Sequence, residues 1–147
     1  MKYPKTFKRY ILNLSNIFRR YTFATEFLVH LKFHESEDGP ESTNDEQQTA
    51  ASIDIYLPYF EAKIHVYPRL LRYYRKKRYG ECADVICHEY AHILIRPIEV
   101  VMRRKKGISQ SVVDNTTEQQ VQRITNIIMA VSGITDWSPE QVRKAGK

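Results

Sequence analysis

Two histidines of this chain, His88 and His92, stand four residues apart with a glutamate between them, in the segment His88-Glu89-Tyr90-Ala91-His92. On an α-helix this spacing places the two imidazoles one turn apart on one face. Imidazoles placed in this way can bind one Zn²⁺, and Glu89 then lies beside the open position of the metal as a general base for water. The segment therefore predicts a helix that carries a metal site.

The length and composition are typical of one globular domain. At 147 residues the chain is long enough for its own core, so we expect a single domain over residues 1–147. No apolar run reaches the length of about 18 residues that a transmembrane helix needs, and no apolar stretch follows the first five residues as in a secretory signal. The two cysteines, Cys82 and Cys87, are expected on one helix, pointing apart and reduced. These features predict a cytoplasmic protein that does not enter a membrane.

Apolar periodicity in the first half of the chain predicts one helix followed by three strands. Residues 5–21 repeat apolar side chains at spacings of three and four, which is typical of a helix. Residues 26–34, 53–57 and 62–67 alternate apolar and polar side chains, which is typical of half-buried strands, and Pro58 begins the turn of a hairpin between the last two. We expect an α+β fold in which helices pack on one face of a small antiparallel sheet of about three strands.

The remaining segments complete the outline of the predicted fold. The stretch 35–49 is acidic and polar and is expected to be an exposed, flexible loop. A short basic helix or turn is expected over 69–78, followed by the helix with the two histidines over about 81–96. Pro97 is expected to end that helix, and 103–110 is predicted to be a basic loop.

The last part of the chain contains one further clear helical pattern. A helix is predicted over about 115–132, with Asn115 as its N-cap and Gly133 as its C-terminal stop. Residues 135–147 form a polar tail in which Trp137 is the only large apolar anchor. The predicted order therefore ends with two helices, the second of which carries Glu118.

A catalytic zinc site needs three protein ligands, and the third is sought downstream of His92. None of the five histidines follows the motif, so this ligand would be a carboxylate. The acidic residues available there are Glu99, Asp114, Glu118, Asp136 and Glu140. Glu118 fits best, because it continues the apolar stripe of its helix backward from Val121 and so points along the core-facing edge. Alternatively, Glu118 forms a capping box with Asn115, and Glu99 is the second candidate ligand.

The chain resembles the zincins, and within them the gluzincins, in which a His-Glu-x-x-His helix is followed by a glutamate ligand on a later helix. The resemblance covers about residues 52–131 and extends to the small minimal gluzincins of bacteria and phages. It implies that His88, His92 and Glu118 bind one Zn²⁺. The implied activity is that of a metallopeptidase, a hydrolase that cleaves peptide bonds in a peptide or protein substrate.

The resemblance also assigns roles to other residues, and the chain departs from the pattern at one of them. It implies that Glu89 activates the water and that the strand over 61–67 holds an extended substrate by β-addition. Gluzincins often carry an aspartate one turn after the glutamate ligand, where it holds a ligand histidine. Gln122 occupies this position, and its amide can accept an N–H but carries no charge. A catalytically inactive zincin-like interaction protein is therefore an alternative.

The net charge of +6 allows a second class of function, nucleic-acid binding. Residues 72–79 interleave basic and aromatic side chains, which can pair with phosphates and stack on bases. The candidate contacts are Arg72, Arg75, Lys76, Lys77 and Arg78. In the competing interpretation this segment is an amphipathic turn with its tyrosines on the core side. A third interpretation, a structural zinc site, is less favoured because such sites often use cysteines and Cys87 points about 100° away from His88 round the helix.

Overall fold

The computed structural model describes residues 2–22, 24–35 and 49–147. These residues form an α+β fold of five α-helices and one three-stranded sheet, which confirms the predicted class. In chain order the elements are α1 (Lys5–Tyr21), β1 (Leu28–Phe33), β2 (Ala51–Tyr56), β3 (Glu61–Val66), α2 (Pro68–Arg75), α3 (Tyr79–Arg104), α4 (Gln110–Val131) and α5 (Pro139–Ala145). The predicted acidic loop over 35–49 lies almost entirely outside the described residues.

Helix α1 forms one wall of the core, as its apolar periodicity predicts. Phe7, Ile11, Leu14 and Phe18 are fully buried along one stripe of the helix. Each lies three or four residues from the next, so one face is apolar while the opposite face remains exposed. Tyr10 is also buried, and its hydroxyl donates a hydrogen bond of 2.9 Å to the backbone oxygen of Trp137 near the end of the chain. The first helix thus contacts the last segment of the protein.

The sheet is mixed, and the prediction that it is antiparallel is wrong for one of its two pairings. Strand β3 is central; it pairs with β2 antiparallel and with β1 parallel. A short turn over Leu57–Tyr59 joins β2 to β3 and so determines their relative direction. A longer connection separates β1 from β2, and apolar alternation alone is the same for a parallel and an antiparallel neighbour. The sequence pattern therefore could not predict whether β1 runs parallel or antiparallel to β3.

Helix α3 is longer than predicted and continues through Pro97 to Arg104. Proline removes one backbone N–H and disfavours helical geometry in the residue before it, which is why the sequence suggested an end there. The turns beyond Pro97 are stabilised by ion pairs: Glu99 binds Arg103 on the same helix, and Arg103 binds Asp114 on α4 at 2.6 Å. These contacts favour a helix that continues past the proline.

Helix α4 begins earlier than predicted. Its N-cap is Ser109, whose hydroxyl accepts a hydrogen bond from the backbone N–H of Val112, so Asn115 lies inside the helix. The proposed capping box between Asn115 and Glu118 is therefore absent. The predicted C-terminal stop is confirmed, because Gly133 has a left-handed φ of +65° directly after the helix.

The segment 135–147, predicted to be a polar tail, contains helix α5. The helix is short and carries a single buried apolar side chain, Val142, so periodicity could not reveal it. The predicted anchoring role of Trp137 is confirmed. Its side chain is 7% exposed, and its ring packs against Phe18 of α1 at a centroid distance of 5.5 Å.

Candidate metal centre

Helix α3 presents two different faces. Ile86, Tyr90 and Ile93 are buried in the core, where the Tyr90 hydroxyl and the Ser15 hydroxyl form a hydrogen bond. His88 and His92 are half-buried on the other face, with side chains 23% and 19% exposed. The spacing of four residues places the two rings one above the other, as predicted, with centroids 5.0 Å apart.

Helix α4 returns antiparallel to α3 and places Glu118 level with the two histidines. The ion pair between Arg103 and Asp114 joins the helices near their connecting loop. Farther from the loop, the thiol of Cys87 contacts the backbone oxygen of Thr125. Glu118 lies between these two contacts along α4. Its side chain is 59% exposed, so it stands at the rim of the site rather than on the core-facing edge that its position in the stripe suggested.

Both oxygens of Glu118 approach a histidine. Oε2 lies 3.3 Å from Nε2 of His88, and Oε1 lies 3.4 Å from Nε2 of His92. One donor atom from each of the three residues lies within 4.8 Å of the others, and this is the one such cluster found in the described part of the chain. The structure thus brings together the three side chains that the sequence analysis named as ligands.

These distances can be compared with those of a tetrahedral zinc site. Ligand atoms about 2.0–2.2 Å from a common centre, at tetrahedral angles, are about 3.4 Å from one another. The nitrogen–oxygen distances of 3.3 and 3.4 Å are made by two different oxygens of Glu118, and one ligand atom from each of the three residues lies within 4.8 Å of the others, so the three side chains are close to this spacing. Two imidazoles and one carboxylate are also ligand types that zinc accepts, and three ligands leave one tetrahedral position open. The residues present fit such an ion.

Glu89 lies on the wall of the same cleft and is 7% exposed. Burial, together with a smaller effect of the negative charge of Glu118, raises the pKa of its carboxyl group to about 8. A carboxylate with a pKa near neutrality is suited to proton transfer in both directions. A cation in the cleft would favour the ionised form by its charge.

The cleft has a volume of about 740 Å³ and three walls. Strand β2 forms one wall over residues 51–56, the histidine face of α3 forms the second, and α4 contributes the third. Because β3 is hydrogen-bonded on both sides, by β1 and by β2, it has no free edge for an added strand. The expectation that residues 61–67 hold a substrate is therefore wrong, and β2 is the strand that borders the cleft.

The other candidate ligands do not join the cluster. Glu99 is 7% exposed, and its carboxylate accepts hydrogen bonds from Arg96 and Arg103. Asp114 accepts hydrogen bonds from Arg103 and Gln110. These two carboxylates line the outer part of the cleft and connect α3 to α4. Both are held by cations of the protein itself.

Gln122 does not hold a histidine ring. Its side-chain amide donates a hydrogen bond of 3.0 Å to the Asn126 side chain on the exposed face of α4. Asp84 lies one turn before His88, and burial raises the pKa of its carboxyl group, an effect that His88 only partly offsets.

Two further residues of the cleft were missed from the sequence, Arg96 and Thr117. Arg96 follows His92 by four residues and so continues the histidine face, and this spacing was the sequence signal that could have identified it. Thr117 precedes Glu118 and is 6% exposed.

The segment predicted as a nucleic-acid contact has its tyrosines engaged with the protein. Tyr74 packs against Phe7 and Tyr10, and the ring of Tyr73 is covered by the guanidinium groups of Arg69 and Arg78. The exposed cations of this segment are Arg75, Lys76, Lys77 and Arg78, whereas Arg72 is half-buried. The tyrosines therefore face the core or their own cations, which is the arrangement of the amphipathic alternative.

Both cysteines are free and buried, and burial raises the pKa of each thiol to about 12. Cys87 is hydrogen-bonded toward α4 and does not belong to the His88–His92–Glu118 cluster. A four-ligand structural zinc site with a cysteine therefore has no counterpart among the described residues.

Comparison of the chain with models of protein families, with curated proteins and with solved structures gives no match. A search of the helices in the described ranges identifies none with the length and apolar character of a membrane span.

Proposed function

We propose that this protein is a zinc-dependent peptidase of the zincin type, similar in plan to the gluzincins. The observation that carries the proposal is the convergence of His88, His92 and Glu118, with nitrogen–oxygen distances of 3.3 and 3.4 Å. Glu89 lies on the same cleft wall, where a general base is required. Three protein ligands with one open position are typical of catalytic rather than structural zinc.

In the proposed reaction the metal ion and the side chains of the protein have different roles. Zn²⁺ bound at this cluster would lower the pKa of a water molecule toward neutrality and polarise a peptide carbonyl. The chain itself provides the proton transfer: Glu89 accepts a proton from the attacking water and returns it to the leaving amine. Its burial is suited to this cycle, because the raised pKa lets the carboxyl group hold a proton near neutral pH. His88, His92 and Glu118 would hold the ion beside Glu89.

Strand β2 is the best candidate to orient a peptide. It is paired with β3 along one side, and its residues 51–56 border the cleft. An extended peptide that adds to a strand edge gains main-chain hydrogen bonds with little dependence on side chains. Such a peptide would run past the cluster with a carbonyl group facing it. This is consistent with peptides or unstructured protein segments as the substrate class.

The substitution Glu89→Gln tests the proposal. The amide has the size of the carboxyl group but cannot accept the proton, so we expect one equivalent of bound zinc and a loss of peptide hydrolysis of at least about 100-fold. Zinc is measured by atomic absorption on the purified protein, and hydrolysis with unstructured casein as substrate. Normal activity in this variant would refute the role of Glu89. A wild-type protein that binds zinc but cleaves nothing would favour the inactive interaction protein.

A further inference from the structure

Strand β2 borders the cleft and divides its side chains between the two faces of the sheet. Ile53 and Ile55 pack against the core. Because side chains alternate along a strand, Ser52, Asp54 and Tyr56 point to the opposite face. Within the described ranges β2 pairs only with β3, and all of its residues line the cleft. A strand that adds to the second edge of β2 would therefore lie beside these three outward side chains.

An added strand places its own side chains directly beside those of β2. Residues opposite each other on neighbouring strands point to the same face, with Cβ atoms about 4.5–5.5 Å apart. A peptide residue opposite Asp54 would thus contact its side chain, and the residues two positions away would lie opposite Ser52 and Tyr56. Main-chain hydrogen bonds give such a complex its affinity, and the alternate side chains give it selectivity.

Asp54 is exposed and is held in a defined orientation. Its side chain is 54% exposed, and its Oδ2 lies 2.9 Å from Nε2 of His65 on β3. Nδ1 of His65 is hydrogen-bonded to Nε2 of His34 at 2.7 Å, so the imidazole beside Asp54 is fixed at both nitrogens. A carboxylate has about four acceptor positions, and this bond uses one of them. Asp54 can therefore also accept a hydrogen bond from a Lys or Arg side chain on an added strand.

Lys63 of β3 is the residue directly opposite Asp54 within the sheet, and it lies on the side away from an added strand. A basic peptide residue would be about 5 Å from Asp54, measured between Cβ atoms, but two strand spacings, about 9.6 Å, from Lys63. The larger separation is about one Debye length at physiological ionic strength, so the attraction to Asp54 outweighs the repulsion by Lys63. Asp54 therefore favours a basic residue opposite it.

Tyr56 begins an exposed apolar surface. Its side chain is 47% exposed and lines both the cleft and a second cavity of about 290 Å³. Tyr59 and Phe60 in the following turn are 76% and 52% exposed. Leu28, whose backbone N–H donates a hydrogen bond of 2.8 Å to the Phe60 oxygen, is also exposed. Contiguous exposed apolar groups, aromatic ones above all, mark interaction sites. A large apolar side chain opposite Tyr56 would cover part of this surface.

We infer that β2 selects peptides in which a basic residue lies two positions from a large apolar or aromatic residue. The basic side chain lies opposite Asp54 and the apolar one opposite Tyr56. This inference rests on the proposed peptidase function for its substrate class. The spacing follows from the period of a strand, because side chains three positions apart point to opposite faces of the sheet.

The test measures the binding of fluorescent peptides to the zinc-loaded Glu89→Gln protein, which does not consume them. The peptides have about ten residues, more than the six of β2, and consist of threonine apart from two positions. One position carries Lys, Gln or Glu, and Phe stands either two or three positions after it. A second set has the reverse order, since a strand can add in either direction.

We expect peptides with Lys and Phe two positions apart to bind about fivefold more tightly than those with Glu in place of Lys. They should also bind about threefold more tightly than peptides with Lys and Phe three positions apart. Asp54→Asn should abolish the preference for Lys over Glu, and Asp54→Lys should reverse it. Tyr56→Thr should remove the effect of Phe and keep the preference for Lys.

Glu61→Gln is the matched control. Glu61 lies on the same face of the sheet as Asp54 but on the central strand, so it cannot be the direct neighbour of an added strand. This variant should keep the preference for Lys over Glu. Urea unfolding and zinc content show whether the Asp54 variants are folded. The comparison of peptides on the protein with an unaltered β2 tests the inference independently of those variants.

The outcomes separate this inference from the proposed function. Equal affinity for the Lys, Gln and Glu peptides, no effect of the spacing, or a preference that folded Asp54→Lys retains overturns the selection by β2, while hydrolysis of casein by the wild type still stands. A preference lost equally in Glu61→Gln indicates a general effect of charge and also overturns it. Selective binding in a wild-type protein that cleaves nothing supports the selection by β2 and removes the hydrolase. A protein that binds none of the peptides overturns the inference.

Discussion

At the scale of single residues, Glu118 differs from the other members of the cluster. His88 and His92 are half-buried on a helix face, whereas the Glu118 side chain is 59% exposed and yet directs one oxygen to each ring. Burial lowers the pKa of His92, so this imidazole is neutral at pH 7 and attracts a carboxylate only weakly. A divalent cation between the three groups would provide the attraction that the protein alone lacks.

Replacement of Glu118 by alanine should therefore weaken zinc binding strongly. Loss of a residue that only hydrogen-bonds to a metal-binding side chain lowers metal affinity by about 10–100-fold. Loss of a metal-binding side chain itself should therefore lower the affinity by more than about 100-fold. Gln122→Ala is the matched control, one turn farther along α4, and should bind zinc like the wild type because Gln122 contacts only Asn126. Zinc affinity is measured by competition with a chromophoric chelator. Equal affinities in the two variants would remove Glu118 from the site.

Glu99 makes a pH-dependent contribution to stability. Burial alone would raise the pKa of its carboxyl group, but hydrogen bonds from Arg103 and Arg96 outweigh this and hold the pKa below its usual value of 4.5. A depressed pKa in the folded state means that the stabilisation is complete above the unfolded pKa and is lost as the pH falls through the folded pKa. Glu99→Gln should lower the free energy of unfolding by about 2 kcal/mol at pH 7 and by much less near pH 3.

Urea unfolding at several pH values measures this effect. Glu140→Gln is the control, because Glu140 forms an exposed ion pair with Lys144 and should contribute less than about 1 kcal/mol. A loss of stability in Glu99→Gln that is the same at pH 7 and pH 3 would contradict an electrostatic origin and indicate packing instead.

At the scale of helices and strands, local periodicity predicts those features that depend only on residues close together in the sequence. The spacing of His88 and His92 predicted a helix and a shared face, and the alternation over residues 62–67 predicted β3. Glu118 was chosen as the third ligand by elimination and by its stripe, and it is the carboxylate that lies beside the two rings. The helix and β3 follow from local repeats, whereas the position of Glu118 depends on how α4 packs on α3, which is why its stripe predicted a core-facing edge and the structure places it at the rim.

Features that depend on distant contacts were not predictable in this way. The parallel pairing of β1 with β3 depends on where a long connection leads. The continuation of α3 past Pro97 is accompanied by ion pairs that include one to α4. The place of Arg96 and Thr117 in the cleft depends on how α3 packs against α4.

Pro97 should therefore destabilise the helix in which it lies. Its ring removes a backbone hydrogen bond to the residue four positions earlier, a cost of about 3 kcal/mol in a helix interior. Pro97 is exposed, so Pro97→Ala should restore the bond without disturbing the core and raise the free energy of unfolding by about 1–3 kcal/mol. Urea unfolding followed by circular dichroism measures the change. Lower stability would show that the packing of α3 on α4 requires the proline geometry.

At the scale of the whole molecule, the two ends of the described chain close the core on the side of α1. The segment before α5 supplies Trp137, whose ring packs on Phe18 and whose backbone oxygen accepts a hydrogen bond from Tyr10. Val142 of α5 is fully buried. None of these residues lines the cleft, which is built from β2, α3 and α4. Substitutions in this region should therefore lower the free energy of unfolding without changing zinc affinity.

Trp137→Ala tests this separation. Removal of a large buried ring costs about 3–5 kcal/mol in a core, and the 7% exposure of Trp137 corresponds to such a site. We expect a loss of about 3 kcal/mol in urea unfolding, followed by circular dichroism because the chain has a single tryptophan. Zinc affinity of the folded variant should equal that of the wild type, and Trp137→Phe should recover most of the stability by refilling the space. A variant that remains stable but loses zinc would couple the α1–α5 region to the cleft and contradict the separation.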